Sequence, residues 1–298
     1  MSTQDRHPDV RNHGNVLTRP ARPPDLVIRY GDQADQVADV HLPQRRQPEA
    51  AGRYGANLLT MILHGGFWRA AYGREHTAPL AEALAAAGFV VVAPEYRRTG
   101  QVGGGWPGTF DDVAVAVDRL PGLVAEAVGG LIDPDAMVLA GHSAGGHLAL
   151  WAASRHRLPA GSAWQAPAGR GRYGVVALAA VSELVECQRL RLGVRAADAL
   201  MGGAPERYPE RYALADPASL LPVGTGVRLI HGTADDRVPH QMSVDYAARA
   251  REAGDDATQC VLLEGAGHFD VIDPLAAVWP VVLQAFVEMH PPVRRAGA

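Results

Sequence analysis

Short apolar runs alternate with longer helix-type runs along most of this 298-residue sequence. The runs at residues 57–63 and 89–93 are continuously apolar, as expected for strands that are buried on both faces of a sheet. Helix-forming residues fill positions 75–87 and stop at Gly88, a residue type that commonly ends helices. This alternation predicts an α/β fold with a mostly parallel central sheet that is flanked by helices.

The same patterns predict the other elements and the domain organisation. Residues 1–24 carry few apolar groups, which predicts a flexible N-terminal arm ahead of a single domain over residues 25–298. Residues 44–55 are charged and contain proline and glycine, which predicts a surface loop. Further strands are expected at residues 26–30, 36–42, 137–140, 175–178, 227–231 and 259–263, and further helices at residues 110–120, 144–157, 242–253 and 276–290.

Residues 182–221 interrupt the alternation with helix-type pieces that are punctuated by prolines. Such a segment is either a long surface insertion or a cap over the active site. It follows a predicted strand at the edge of a parallel sheet where ligands usually bind, and we therefore favour a cap-like insertion.

Composition excludes several classes of protein. All 28 basic residues are arginine, so no lysine is present to form a Schiff base, bind phosphate in a P-loop or act in a Ser-Lys dyad. A net charge of -4 gives no basic surface for nucleic acid. Cys187 and Cys260 are too few for a disulfide framework or a cysteine-rich zinc site, which predicts buried or half-buried thiols. No signal sequence or membrane-length apolar stretch is visible, which favours a cytoplasmic protein without membrane contact.

The strongest motif is Gly141-His142-Ser143-Ala144-Gly145, which fits the pattern G-x-S-x-G between a predicted strand and a predicted helix. A nucleophilic serine on such a strained turn projects its hydroxyl into a cleft. The flanking glycines are needed because larger side chains would collide within the turn. The motif therefore predicts Ser143 as a nucleophile.

A serine nucleophile needs a histidine base and an acid that orients it. Asp235 and His268 follow the ends of two consecutive predicted strands, at the same edge of the sheet as Ser143. The chain order Ser, acid, His is the order of this fold type. Asp236 is the alternative acid, and the pattern favours Asp235.

Stabilising a tetrahedral oxyanion requires hydrogen-bond donors. The amide of Ala144 is one candidate, and the amides of Gly66 and Phe67 are two more, because His64-Gly65-Gly66 follows a central strand. Trp68 either lines an acyl pocket or packs in the core.

Other motifs are weaker. The run Glu95-Tyr96-Arg97-Arg98 contains either a substrate contact, with Tyr96 as the candidate, or a solvent-facing ion pair. The glycine-rich run at 103–107 predicts a flexible loop in which Trp106 is a candidate substrate contact. His142 and His147 lack a carboxylate partner for a metal site and are interpreted as packing or hydrogen-bonding residues, so no metal and no cofactor are expected.

Together, HGGFW at 64–68, EYRR at 95–98, GHSAGGHLALW at 141–151, HGTADDRVP at 231–239 and GAGHF at 265–269 resemble α/β-hydrolases of the kynurenine formamidase (arylformamidase) and small-carboxylesterase group. The resemblance covers roughly residues 26–290. It implies a Ser143, Asp235 and His268 triad, oxyanion donors from the HGG element, and no cofactor. Formamidases of this type hydrolyse N-formyl-L-kynurenine to kynurenine and formate.

The sequence thus predicts a serine hydrolase that cleaves a small amide or ester through an acyl-enzyme. An arylformamidase-like activity is the first hypothesis, and a carboxylesterase of undefined specificity is the alternative. An acyl transferase or cyclase that excludes water and a non-catalytic binding protein are further alternatives. The oligomeric state is open, with a homodimer among the possibilities.

Overall fold

The computed structural model describes residues 16–43, 58–166 and 172–291. Within these ranges, eight strands form one sheet in the order β1-β2-β4-β3-β5-β6-β7-β8. The strands are β1 (Leu26–Arg29), β2 (Val37–His41), β3 (Leu58–Leu63), β4 (Phe89–Pro94), β5 (Ala136–His142), β6 (Arg172–Leu178), β7 (Val227–Gly232) and β8 (Thr258–Leu263).

The central strands run parallel, as predicted. The six strands from β3 to β8 pair parallel to one another, whereas β2 pairs antiparallel with both β1 and β4. Every residue of β3, β4 and β5 is buried. This burial explains their continuous apolar sequences, because both faces of a central parallel strand are covered by helices.

Helices cover both faces of the sheet. Leu59 and Met61 of β3 belong to one apolar core, while Leu58 and Ile62 belong to a second core on the opposite face. This split follows from the two-residue period of a strand. The helices of the sheet layers are α1 (Ala78–Ala86), α2 (Gly108–Ala127), α3 (Ala144–Ala153), α7 (Gln241–Glu252) and α8 (Trp279–Met289).

The predicted cap segment contains three short helices between β6 and β7. These are α4 (Leu184–Arg189), α5 (Leu192–Met201) and α6 (Pro209–Ala215). The first turn of α5 is irregular, because Gly193, Val194 and Arg195 have left-handed backbone angles with φ of 54°, 55° and 60°. The apolar face of α5 packs inward, and Leu200 and Met201 are fully buried.

The predicted N-terminal arm is wrong for its last part. Val16 is buried in the core that contains α1 and α8. Arg19 forms an ion pair with Asp273, and the amide of Arg22 donates a hydrogen bond to Glu82 at 3.0 Å. These contacts fix the chain against the domain. Residues 1–15, and the predicted loop at 44–55, lie outside the described residues.

The described ranges contain neither a membrane-spanning helix nor a metal-binding cluster. In these ranges, no helix is long and apolar enough to cross a membrane. No group of three or more His, Cys, Asp or Glu side chains in the same ranges is arranged to hold a metal ion. Cys187 is buried and Cys260 is half-buried, and both thiols are free, as predicted.

Candidate active site

Ser143 occupies a sharp turn between β5 and α3. Its backbone angles are φ 55° and ψ -118°, which an L-residue adopts only at a cost in free energy. The glycines around it are required by close contacts between backbone atoms. A Cβ on Gly141 would lie 2.1 Å from the carbonyl oxygen of Gly145, and a Cβ on Gly145 would lie 2.0 Å from that of Leu63. These contacts account for the G-x-S-x-G pattern.

The turn is fastened to the end of β6. The amide of Ser143 donates to the carbonyl of Leu178 at 2.8 Å, and the Ser143 carbonyl accepts from the amide of Val181 at 3.2 Å. The residue as a whole is 2% exposed. The segment that enters the cap therefore starts directly beside Ser143.

Asp235 and His268 meet at the carboxyl edge of the sheet, as their positions after β7 and β8 predict. The Nδ1 atom of His268 lies 2.6 Å from Oδ2 of Asp235. Because the carboxylate accepts, Nδ1 carries the proton and Nε2 is left free to act as a base. The His268 side chain is 4% exposed and that of Asp235 is fully buried.

Four donors surround the carboxylate of Asp235. His231 shares its Nε2 proton between Oδ2 of Asp235, at 3.1 Å, and the carbonyl of Val238. The amides of Arg237 and Val238 donate to Oδ1 at 2.8 and 2.9 Å. Burial alone raises the pKa of Asp235, but the hydrogen bonds from His231, His268 and Val238 outweigh it and hold the pKa well below its usual range. Asp235 is therefore built to remain an anion.

The alternative acid, Asp236, is not part of this arrangement. Its side chain is 74% exposed and lies 3.3 Å from the guanidinium of Arg237. Of the two adjacent aspartates, the structure brings Asp235 to His268.

A chain of histidines contacts the backbone of His268, which sequence reasoning missed. His142 donates its Nε2 proton to the carbonyl of His268 at 2.9 Å, and its Nδ1 accepts from Nε2 of His76 at 2.9 Å. Burial lowers the pKa of His142 far below its usual value and that of His76 to about 3. Both rings are therefore neutral, which fixes these donor and acceptor roles. His142 thus links the serine turn to the histidine loop.

The predicted oxyanion loop lies beside the serine. A Cβ on Gly65 would be 3.1 Å from the Cβ of Ser143. Gly66 and Phe67 follow with positive φ angles of 105° and 51°. Ala144 begins α3, and the positive end of the helix dipole lies at its amide. The loop that leads into Gly66 and Phe67 therefore starts beside Ser143, and the role of the three amides as oxyanion donors stays a prediction.

The predicted oxyanion loop is held through His64 by Glu95. His64 directs Nε2 at Oε1 of Glu95 at 2.8 Å and Nδ1 at the carbonyl of Gly65 at 2.8 Å. Burial raises the pKa of Glu95. The hydrogen bond and charge of His64 and the charge of Arg98 lower this pKa by a larger amount, so the pKa of Glu95 is below its usual value. Tyr96 is fully buried, stacks on His64 and donates its hydroxyl to the His64 carbonyl at 2.8 Å.

The prediction of Tyr96 as a substrate contact is therefore wrong. The solvent-facing ion pair expected in the same run is wrong as well. Arg97 binds both carboxylate oxygens of Asp112, whose side chain is fully buried, and the side chain of Arg98 is only 8% exposed between Asp35 and Glu95.

Trp68 and Trp106, the two tryptophans predicted as substrate contacts, lie in different surroundings. Trp68 is fully buried and packs edge-on against His147, so it belongs to the core and lines no open pocket. Trp106 packs against Phe110 and Trp164 and lines a surface pocket of about 420 Å³. Ser143, Asp235 and His268 do not line that pocket. The prediction of Trp106 as a substrate contact near the serine is not supported by this placement.

The strand order and the site at the sheet edge define an α/β-hydrolase fold. Residues 39–249 match the BD-FAE family model, and the chain belongs to this family of esterase-type α/β-hydrolases. No curated protein matches the sequence.

Several solved structures share the fold at 20% identity. A truncated carbohydrate esterase from gut microbiota covers 90% of this chain and 99% of its own, with a TM-score of 0.70. Esterase B from Lactobacillus rhamnosis, inhibited by a tributyrin phosphonate, covers 90% and 86%, with a TM-score of 0.67. A butyrate-bound thermophilic esterase from Thermogutta terrifontis covers 87% and 90%, with a TM-score of 0.62.

Proposed function

We propose that this protein is a serine carboxylesterase that cleaves small esters through an acyl-enzyme. The observation that carries the proposal is the 2.6 Å contact between His268 and the anionic Asp235, beside the strained turn of Ser143. A histidine that is held by a buried carboxylate, near a serine on a strained turn, has the composition of a nucleophile, base and acid triad.

In the proposed mechanism, Oγ of Ser143 attacks the ester carbonyl while Nε2 of His268 takes the serine proton. Asp235 stabilises the imidazolium that forms. The amides of Gly66, Phe67 and Ala144 donate to the oxyanion of the tetrahedral intermediate. His268 then protonates the leaving alcohol, and water repeats the cycle on the acyl-enzyme to release the acid.

Membership in the BD-FAE family and the esterase names of the fold neighbours favour ester substrates over formamides. The carboxylesterase alternative of the sequence analysis is therefore the main proposal. Hydrolysis of N-formyl-L-kynurenine remains a prediction that rests on motif resemblance alone. The acyl transferase alternative has no observation in its favour.

The test is a substrate panel with purified protein. We expect turnover of p-nitrophenyl acetate and butyrate, stoichiometric labelling by a fluorophosphonate, and little hydrolysis of N-formyl-L-kynurenine. Faster turnover of N-formyl-L-kynurenine than of any ester would replace the carboxylesterase with an arylformamidase. Acyl transfer to an added amine that exceeds hydrolysis would indicate a transferase. Absence of labelling in folded protein would overturn the serine mechanism.

A further inference from the structure

The entry to α5 is a left-handed turn that the local sequence disfavours. Arg191, Gly193, Val194 and Arg195 all have φ between 54° and 60°. Three of these four are not glycine, and a branched residue such as Val194 rarely adopts this conformation. Such strain persists only where surrounding contacts fix it. The turn has one backbone hydrogen bond of its own, from the amide of Arg195 to the carbonyl of Arg191 at 3.3 Å, and contacts from outside must add to it.

Two contacts with the oxyanion loop hold it. The guanidinium of Arg69 donates to the carbonyl of Gly193 and, at 3.4 Å, to that of Val194. The ring of Phe67 lies against Gly193, where a Cβ would come within 2.6 Å of the ring atoms Cγ and Cδ1. Gly193 is the position in the turn at which a side chain has no room.

Phe67 and Arg69 belong to the loop that carries the proposed oxyanion donors. The amide of Arg69 donates to the carbonyl of Gly66 at 3.0 Å, which closes the turn around Phe67. Cγ of Phe67 is one bond from Cβ, so the ring cannot move aside at its far end alone. A displaced ring requires a new χ1 rotamer or a shift of the Phe67 backbone, and its amide is one of the proposed donors.

We propose that Gly193 is a positioning residue for the oxyanion hole, acting through Phe67, with Arg69 fixing the turn from the same loop. This inference rests on the proposed serine mechanism. The predicted cap then contacts the oxyanion loop at Phe67 and Arg69, whereas His64 and Glu95 hold the start of the same loop. The amides of Gly66 and Phe67 keep their direction only while the turn is docked.

The experiment compares Gly193→Ala with the matched control Gly254→Ala. Gly254 also has a positive φ, 83°, but no atom lies within 4 Å of the position that a Cβ would occupy there. With p-nitrophenyl acetate, we expect Gly193→Ala to lower kcat by about 10- to 100-fold with KM changed by less than about threefold, because oxyanion donors act in the transition state. Gly254→Ala should retain the kcat of the unmodified protein.

Rescue separates the steric contact from general damage. The double variant Phe67→Ala/Gly193→Ala removes the ring that the new Cβ would strike. We expect its kcat to lie within about threefold of Phe67→Ala alone, so that the two changes are strongly non-additive. Additive losses in the double variant would overturn the proposal, as would an unchanged kcat in folded Gly193→Ala.

Arg69 provides a second route if Gly193→Ala does not fold. Arg69→Met should lower kcat with little change in KM, and Arg69→Lys should recover part of the loss. Equal kcat in both variants and the unmodified protein would overturn the role of the turn. Failure of the proposed function is distinguishable, because the unmodified protein would then neither hydrolyse esters nor react with a fluorophosphonate.

Discussion

Ser143 holds a backbone conformation that its own side chain does nothing to stabilise. The conformation is maintained by hydrogen bonds to Leu178 and Val181 and by the tight contacts of Gly141 and Gly145. Replacing the hydroxyl by hydrogen leaves all of these contacts in place. The contribution of the hydroxyl is therefore expected to be chemical and not structural.

The first prediction concerns Ser143→Ala. We expect kcat for p-nitrophenyl acetate to fall by about 10⁴- to 10⁶-fold, because the nucleophile is lost. The circular dichroism spectrum and the midpoint of thermal unfolding should stay close to those of the unmodified protein. A folded variant that retains most of its activity would contradict the assignment of Ser143.

The second prediction ranks the adjacent aspartates. Asp235→Asn exchanges an anion for an amide that cannot accept from four donors, so His268 loses its orientation and tautomer. We expect a loss of about 10³- to 10⁴-fold in kcat. Asp236→Asn alters an exposed side chain and should change kcat by less than about twofold. Steady-state kinetics of both variants test this ranking, and the reverse order would move the acid by one residue.

Residue types and their positions at strand ends were sufficient to predict that Asp235 and His268 meet at the sheet edge that follows β7 and β8. The supporting histidines were not predictable in this way. His142, His76 and His231 come from three different elements, and their roles depend on which ring nitrogen faces which neighbour. Tyr96 failed as a substrate contact for a related reason, since a position after a strand does not reveal whether the side chain is buried.

Among the elements, the central strands agree closely with their apolar patterns, and the helix ends do not. The apolar period predicts a helix over residues 110–120, and Pro121, which lacks an amide proton, follows it. The helix instead continues to Ala127, and both Pro121 and Val124 are buried. Packing against the sheet compensates for one missing hydrogen bond, which a local sequence signal does not reveal.

The third prediction concerns the cap. Its turn contacts Phe67, and the carbonyl of Ala215 in α6 accepts from His147 of α3, so the cap lies over the helix that starts at Ser143. We expect kcat/KM for p-nitrophenyl esters to fall by at least about tenfold between butyrate and octanoate, because a closely packed cap leaves little room for longer chains. A flat profile over this series would contradict a cap that limits substrate size.

The fourth prediction concerns Glu183, which precedes α4. Burial raises its pKa to about 7 from 4.5, even though Arg249 lies 3.1 Å away. Asp216, Asp245 and Glu186 also favour the protonated form. The native state then binds the proton more tightly than the unfolded chain does, so stability is lost as the pH rises from 4.5 to about 7.

Glu183→Gln removes this titration. We expect the variant to gain up to about 3 kcal/mol relative to the unmodified protein between pH 5 and pH 8, as measured by urea unfolding. Glu252→Gln, at an exposed position of α7, is the control and should show no such trend. A stability difference that is constant with pH would contradict the burial of a titrating Glu183.

At the scale of the whole molecule, buried neutral histidines set the acid limit of stability. Burial lowers the pKa of His147 to about 4 and that of His76 to about 3, and His142 titrates well below its usual value. Below pH 6.5 these three histidines bind protons in the unfolded chain but remain unprotonated in the native state. Each histidine therefore removes about 1.4 kcal/mol of stability per pH unit as the pH falls from 6.5 towards 4.

The fifth prediction follows from this balance. Over the same range Glu183 acts in the opposite direction, but His41, whose pKa burial also lowers, adds to the three histidines above, so the free energy of unfolding should fall steeply between pH 6.5 and pH 5. Urea unfolding at several pH values measures the slope. His147→Gln, which can still donate to the Ala215 carbonyl, should reduce the slope by about one proton. A free energy that is independent of pH below 6.5 would contradict the buried neutral histidines.

The contact between the Phe67 ring and Gly193 also limits which caps can be combined with this loop in related proteins. A cap exchanged between related chains arrives with its own residue opposite Phe67, and any side chain there meets the ring. A transplanted cap is compatible only when it brings a glycine to that position or when the recipient loop carries a smaller residue in place of Phe67. The cap and the loop after β3 are therefore a matched pair, to be exchanged together in chimeras.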